Sequence, residues 1–177
     1  MIRALTTHTE AHVRTAAVAA LWAVGGDPAE VMPLLLGLLD DLITFRISEA
    51  ADVLAEIGPP VSAALPRLRR HLGHGYEWVR VPCAAALWEI GGAAEAPSVL
   101  GGLLQAVAHN PATANAVVAC LDRMGALAAP VVPLLREQLV QPGRGDGFQT
   151  LERDEELQRI IRTIIARLDP LEQGLTS

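Results

Sequence analysis

A chain of 177 residues that is 51% hydrophobic holds enough apolar material for one folded domain and lies far from the composition of a disordered chain. Aromatics make up only 3%, and the apolar residues are mostly Ala, Leu and Val, which favours packed helices over sheet. The net charge of −6, with arginine as the only basic residue besides histidine, argues against a nucleic-acid partner and allows a basic protein partner.

No run of about eighteen apolar residues is free of charge or proline, so no membrane span is predicted. The opening MIRALTTHTEAHVR lacks the apolar core and cleavage site of a signal peptide. Cys83 and Cys120 fall on core-facing helical positions and read as small buried hydrophobes, not as a disulfide or metal site. The cytoplasm is the expected compartment.

In chain order, a stub MIRALTT precedes a helix predicted over residues 10–24, so the chain is expected to begin halfway through a repeat. That helix ends in LWAVG, Leu21 to Gly25. The phrase returns as LAEIG at Leu54 to Gly58, LWEIG at Leu87 to Gly91 and LDRMG at Leu121 to Gly125, at intervals of 33, 33 and 34 residues. A fixed period of this size means a stack of like units. Counting back from each glycine, Val24, Ile57, Ile90 and Met124 stand one before it, and the four leucines stand four before it. Ala20, Val53, Ala86 and Cys120 stand five before it, and Ala17, Ala50, Cys83 and Val117 eight before it. This spacing puts them on one helix face, with the glycine as C-cap.

Asp27-Pro28-Ala29-Glu30 is a helix start: Asp caps, Pro fits the first turn, and Glu reaches back. The helix runs through VMPLLLGLLDD, and Pro33 has counterparts at the same offset in Pro66 and Pro133. Leu35 and Leu39, Leu68 and Leu72, Leu135 and Leu139 follow those prolines. Each unit therefore has a first helix with an early proline and a second helix ending in the glycine, the second helices over 44–57, 77–90 and 112–124. The third unit departs, with Val99 in place of the proline and Gly101-Gly102 weakening its first helix. Residues 141–150, QPGRGDGFQT, read as a loop whose Arg-Gly-Asp is chance. A last helix over 151–168 has an apolar stripe and a charged back, as a terminal cap requires, and the tail after Pro170 is expected to fray. The chain is read as one domain, with a half repeat at 1–25, repeats at 26–58, 59–91, 92–125 and 126–169, and the capping helix within the last.

The chain resembles HEAT repeats of the short, phycobilisome-lyase-like type. The resemblance rests on His12-Val13-Arg14 with Ala16-Ala17 and Ala20-Leu21, on Trp78-Val79-Arg80 with Ala84, Ala86 and Leu87, and on Phe45-Arg46 one residue out of register. Glu10, Asp41 and Glu77 loosely supply the family's acidic residue, and Ala114 stands where a fourth arginine belongs. The resemblance covers about residues 8–140. It implies an all-α, right-handed α-α superhelix, a solenoid of about four hairpins plus the N-terminal half repeat, whose second helices line the inner, concave face.

No catalytic constellation stands out. His8 and His12 lack a third metal ligand at usual spacing, and His71 and His74 beside Arg67, Arg69 and Arg70 read as a solvated basic patch. No catalytic residue, cofactor or metal is assigned. The expected function is a non-catalytic scaffold that binds a protein or peptide segment. The alternative is a HEAT module of an enzyme system, bilin-lyase-like or DNA-glycosylase-like. The position three before each glycine, off the core stripe, holds Trp22, Ala55, Trp88 and Asp122. Two indoles flanking a dent at Ala55, with Asp52, Glu56, Glu89 and Asp122 near, suit a segment bearing apolar and basic side chains. The alternative is that each indole folds over the adjacent repeat and fills a gap. The opening helix carries an apolar face, Val13, Ala17, Ala20, Leu21 and Val24, with no full partner helix before it, so further upstream repeats or a second copy are expected to cover it.

Overall fold

The structure is a computed structural model that describes residues 1–140 and 151–168. The Arg-Gly-Asp loop and the fraying tail lie outside the described residues. Among those described, every regular element is helical and none is a strand. The structure groups into two compact units, Met1–Gly102 and Leu103–Ser177.

The first unit holds α1 (Ile2–Leu5), α2 (Ala11–Ala23), α3 (Pro28–Leu39), α4 (Thr44–Ile57), α5 (Leu65–His71), α6 (Glu77–Gly91) and the start of α7 (Ala96–His109). Helix α4 packs against α2 on one side and α6 on the other, while α3 packs on α4 and α5 on α6. The expected start of α3 is present: Asp27 accepts from the Ala29 backbone N–H, and Pro28 opens the helix. Pro33 lies inside α3 with its ring exposed. Before α5 the chain runs as a 3-10 helix, Pro59–Ala64, because Pro59 and Pro60 lack the N–H groups of an α-helical turn. The second unit holds α8 (Ala114–Met124), α9 (Val131–Val140) and α10 (Leu151–Leu168), with α10 packed on both α8 and α9.

The repeated leucines Leu21, Leu54, Leu87 and Leu121 are buried, as are Ala17, Ala50, Cys83 and Val117 eight before each glycine. Ile57, Ile90 and Met124 are buried too, but Val24 is 67% exposed, contrary to its expected core role. Helix α2 ends at Ala23, and Val24 turns out beside the four-residue α1, which is too short to cover it. The result is an open cleft of about 430 Å³ lined by Met1, Ile2, Arg3, Leu21, Val24, Gly25 and Gly26.

Among the described residues the glycines with positive φ are Gly25, Gly58, Gly92 and Gly125. In the 59–91 repeat the turn therefore falls at Gly92, not at the expected Gly91, which closes α6. Gly91 is small for another reason, since a Cβ there would stand 2.4 Å from Cγ of the buried Glu95.

The turns into the second helices share a device. The backbone N–H of Glu10, Ile43 and Tyr76 donates at 3.0 Å to a side chain two residues earlier: His8 Nδ1, Asp41 Oδ1 and His74 Nδ1, spaced 33 apart. Asn110 does the same for Ala112 in the second unit. The arginines then reach back to the same turns: Arg14 to the carbonyls of His8 and Thr9, Arg46 to Asp41, and Arg80 to Glu77. His8 and His74 close these turns, with Nδ1 as acceptor.

Candidate functional site

Because α2, α4 and α6 pack in succession, the residues at one repeat position form a row across them. That row is Trp22, Ala55 and Trp88, and all three are half-buried. Beside it on α4 stand Asp52 and Glu56, both exposed, and on α6 stands the half-buried Glu89. The first unit thus brings together six of the seven residues singled out from the sequence. Asp122 belongs to the second unit, where it is exposed on α8 and paired with Arg167 of α10.

Glu49 joins the acidic group, though sequence reading passed over it. Glu49, Asp52 and Glu56 follow at spacings of three and four, which places them on one face of α4. None of the three makes an ion pair with a described residue. Asp52 is exposed on α4, and the protein around it partly desolvates its carboxylate. That desolvation, followed by the charge of Glu56, raises its carboxyl above the usual range. Desolvation and then Asp52 raise the Glu49 carboxyl likewise. The contrast is with Asp40, Asp41, Glu30 and Glu95, whose carboxyls are lowered by hydrogen bonds from Arg67, Arg46, Arg3 and Arg69 respectively.

Cys83 lies under this face, fully buried, with its thiol pushed up to about 12 by desolvation and then by Asp52. It is protonated at neutral pH and makes a poor nucleophile. Among the described residues no group of three His, Cys, Asp or Glu side chains is close enough to hold a metal ion. The face carries two half-buried indoles on either side of the half-buried Ala55, and beside them Glu49, Asp52 and Glu56 without an ion pair to a described residue. Among the described residues no single helix is long and apolar enough to cross a membrane. Comparison with family models, with curated proteins and with solved structures found no match.

Proposed function

We propose that the chain is a HEAT-type scaffold without catalytic activity, a right-handed α-α superhelix working in the cytoplasm. In this reading the face of α2, α4 and α6 is its concave surface and binds a protein segment bearing lysine or arginine among apolar side chains. The observation that carries the reading is the state of Asp52. Three carboxylates on one helix face repel one another, and the middle one is desolvated without a cation beside it. A free protein gains nothing from that arrangement, whereas a cation delivered by a partner would relieve it. The indoles at Trp22 and Trp88 are partly accessible on either side of Ala55, where an apolar side chain of the partner would seat.

A lysine- and leucine-bearing helical peptide titrated into the chain by calorimetry tests this, with its glutamate-bearing counterpart as control. Binding of the basic peptide alone, lost in Trp22→Ala and Trp88→Ala at unchanged melting temperature, supports the reading. Early melting of both variants, with the folded fraction still binding, makes the indoles packing residues and overturns it.

A further inference from the structure

Phe45, Glu49, Asp52 and Glu56 follow one another on α4 at spacings of four, three and four residues, so they form one stripe along the outer side of the helix. Phe45 is 64% exposed, Asp52 and Glu56 are exposed, and Glu49 is half-buried. Short side chains border the stripe. Helices α2 and α6 both pack on α4. The residues 33 before the three carboxylates are Ala16, Ala19 and Ala23, and those 33 after are Pro82, Ala85 and Glu89. Ala16 and Ala23 are exposed, while Ala19, Pro82 and Ala85 are half-buried. Trp78 holds the position of Phe45 on α6, and Ser48, one turn from Phe45, donates a 2.7 Å hydrogen bond to the Trp78 carbonyl. An aromatic pair therefore stands at one end of the acidic stripe, and the row of Trp22, Ala55 and Trp88 stands at the other.

The other charged groups of these helices are His12 and Arg14 on α2, Arg46 on α4, and Glu77, Arg80 and Glu89 on α6. Arg46 is taken by Asp41 and Arg80 by Glu77, while Arg14 donates to the carbonyls of His8 and Thr9 and His12 lies 3.9 Å from Glu10. The three carboxylates of α4 are thus without a described cation and complement a basic segment. Their spacing selects its form. Three and four residues of α-helix rise about 4.5 and 6 Å, so bases three and four apart on a second helix laid along α4 meet all three. A strand presents side chains to one face only every ~6.7 Å and falls out of step. The alanine and proline borders let two helix axes approach to the usual packing distance of about 8–10 Å. We propose that the segment bound on this face is an amphipathic helix lying along α4. Its lysines or arginines face Glu49, Asp52 and Glu56, and a large apolar side chain at one end covers Phe45 and Trp78. This rests on the reading of the face as a site for a basic segment, and adds the segment's conformation, its direction and a second aromatic anchor.

Calorimetry on the full chain with three alanine-based peptides tests this. The first carries a leucine followed by lysines four, seven and eleven residues on. The second has the same composition with its lysines spread round the helix, and the third is the first with a proline at its centre, which breaks the helix. The first is expected to bind, and the other two more weakly. Phe45→Ser should weaken the first peptide about tenfold or more, as loss of an aromatic anchor does, with the melting temperature unchanged because the side chain is exposed. Glu49→Gln should weaken it and reduce its salt dependence, while Leu134→Ser, exposed on α9, should leave it unchanged. Failure of all three peptides to bind overturns the proposal together with the basic-segment reading beneath it. Equal binding of all three leaves that reading standing and overturns the helix along α4. Binding that Phe45→Ser leaves unchanged overturns the second anchor. Self-association of the free chain that Phe45→Ser abolishes makes a second copy the occupant and overturns the proposal as well.

Discussion

At Gly58 the backbone turns with φ 73° and ψ −143°, and Gly92 and Gly125 repeat the geometry at φ 58°, ψ −141° and φ 55°, ψ −130°. This lies outside the ordinary left-handed helical region of a C-cap, in a part of the map where a Cβ is strained. Space does not limit the site, because the nearest atom to an added Cβ at Gly58 is the Glu89 carbonyl oxygen at 3.7 Å. Gly58→Ala should therefore cost about 1–3 kcal/mol through the backbone alone. Leu54, four residues earlier and fully buried, fails by a different route: truncation to alanine opens a cavity and should cost about 2–5 kcal/mol. Urea denaturation of the two variants checks both values. A Leu54→Ala variant within 1 kcal/mol of wild type (roughly, against the same range) would mean that the repeat leucine is not the core anchor its burial implies.

At the scale of the element, α4 combines a well-fitted core side with an ill-matched outer side. Its bounds, 44–57, are those the periodicity predicts, because buried Ile47, Ala50, Val53, Leu54 and Ile57 recur at helical spacing. Helix α8 starts two residues later than predicted, at Ala114, because Asn110 caps a short 3-10 turn, Pro111–Thr113, first. The candidate site was legible as positions: Trp22, Ala55 and Trp88 could be aligned from the period alone. Its electrostatics were not, because the desolvation of Asp52 depends on how the chain packs around it, and the turn roles of His8 and His74 depend on backbone direction. From the like charges on α4, Asp52→Asn should stabilise the free chain by about 0.2–0.5 kcal/mol, as relief of an i, i+4 repulsion does. The same substitution should weaken the basic peptide. A variant less stable than wild type in low salt would remove the repulsion argument. Helix α5 gives a pH prediction. His71 lies under Arg70 and beside His74 and Asp40, and its Nε2–H donates to the Leu39 carbonyl at 2.7 Å. Desolvation lowers its pKa in the folded state, and the charges of His74 and Arg70 lower it further. The stability it contributes is present above the ordinary histidine range and is lost as pH falls through its depressed folded value. Melting between pH 7.5 and 5.5 should show this loss, and His71→Gln should flatten it. An unchanged slope in the variant would assign the effect elsewhere.

The whole molecule carries a net charge of −6 that keeps copies apart, and against it stands an apolar cleft at one end of the first unit. Val24 and Leu21 were expected to need cover because the 3.6-residue pattern of α2 continues to its last turn. Leu21 found that cover and Val24 did not, since the pattern says which residues want burial but not whether a neighbour is long enough to bury them. Helix α1, four residues held by the Arg3–Glu30 ion pair, closes only part of the end. An exposed ion pair of this kind holds only weakly, so a competing apolar surface can displace α1. Two copies meeting through this cleft would bury Val24, Ile2 and Met1 together, and salt would favour the contact by screening the net charge. Light scattering over a concentration series should then show mass above the monomer, rising with salt. Val24→Glu should return the chain to monomer without lowering its melting temperature, because the side chain is largely exposed. A monomer at every concentration and salt would show that this apolar end is too small to hold a second copy. Association that Val24→Glu leaves intact would place the contact on another surface.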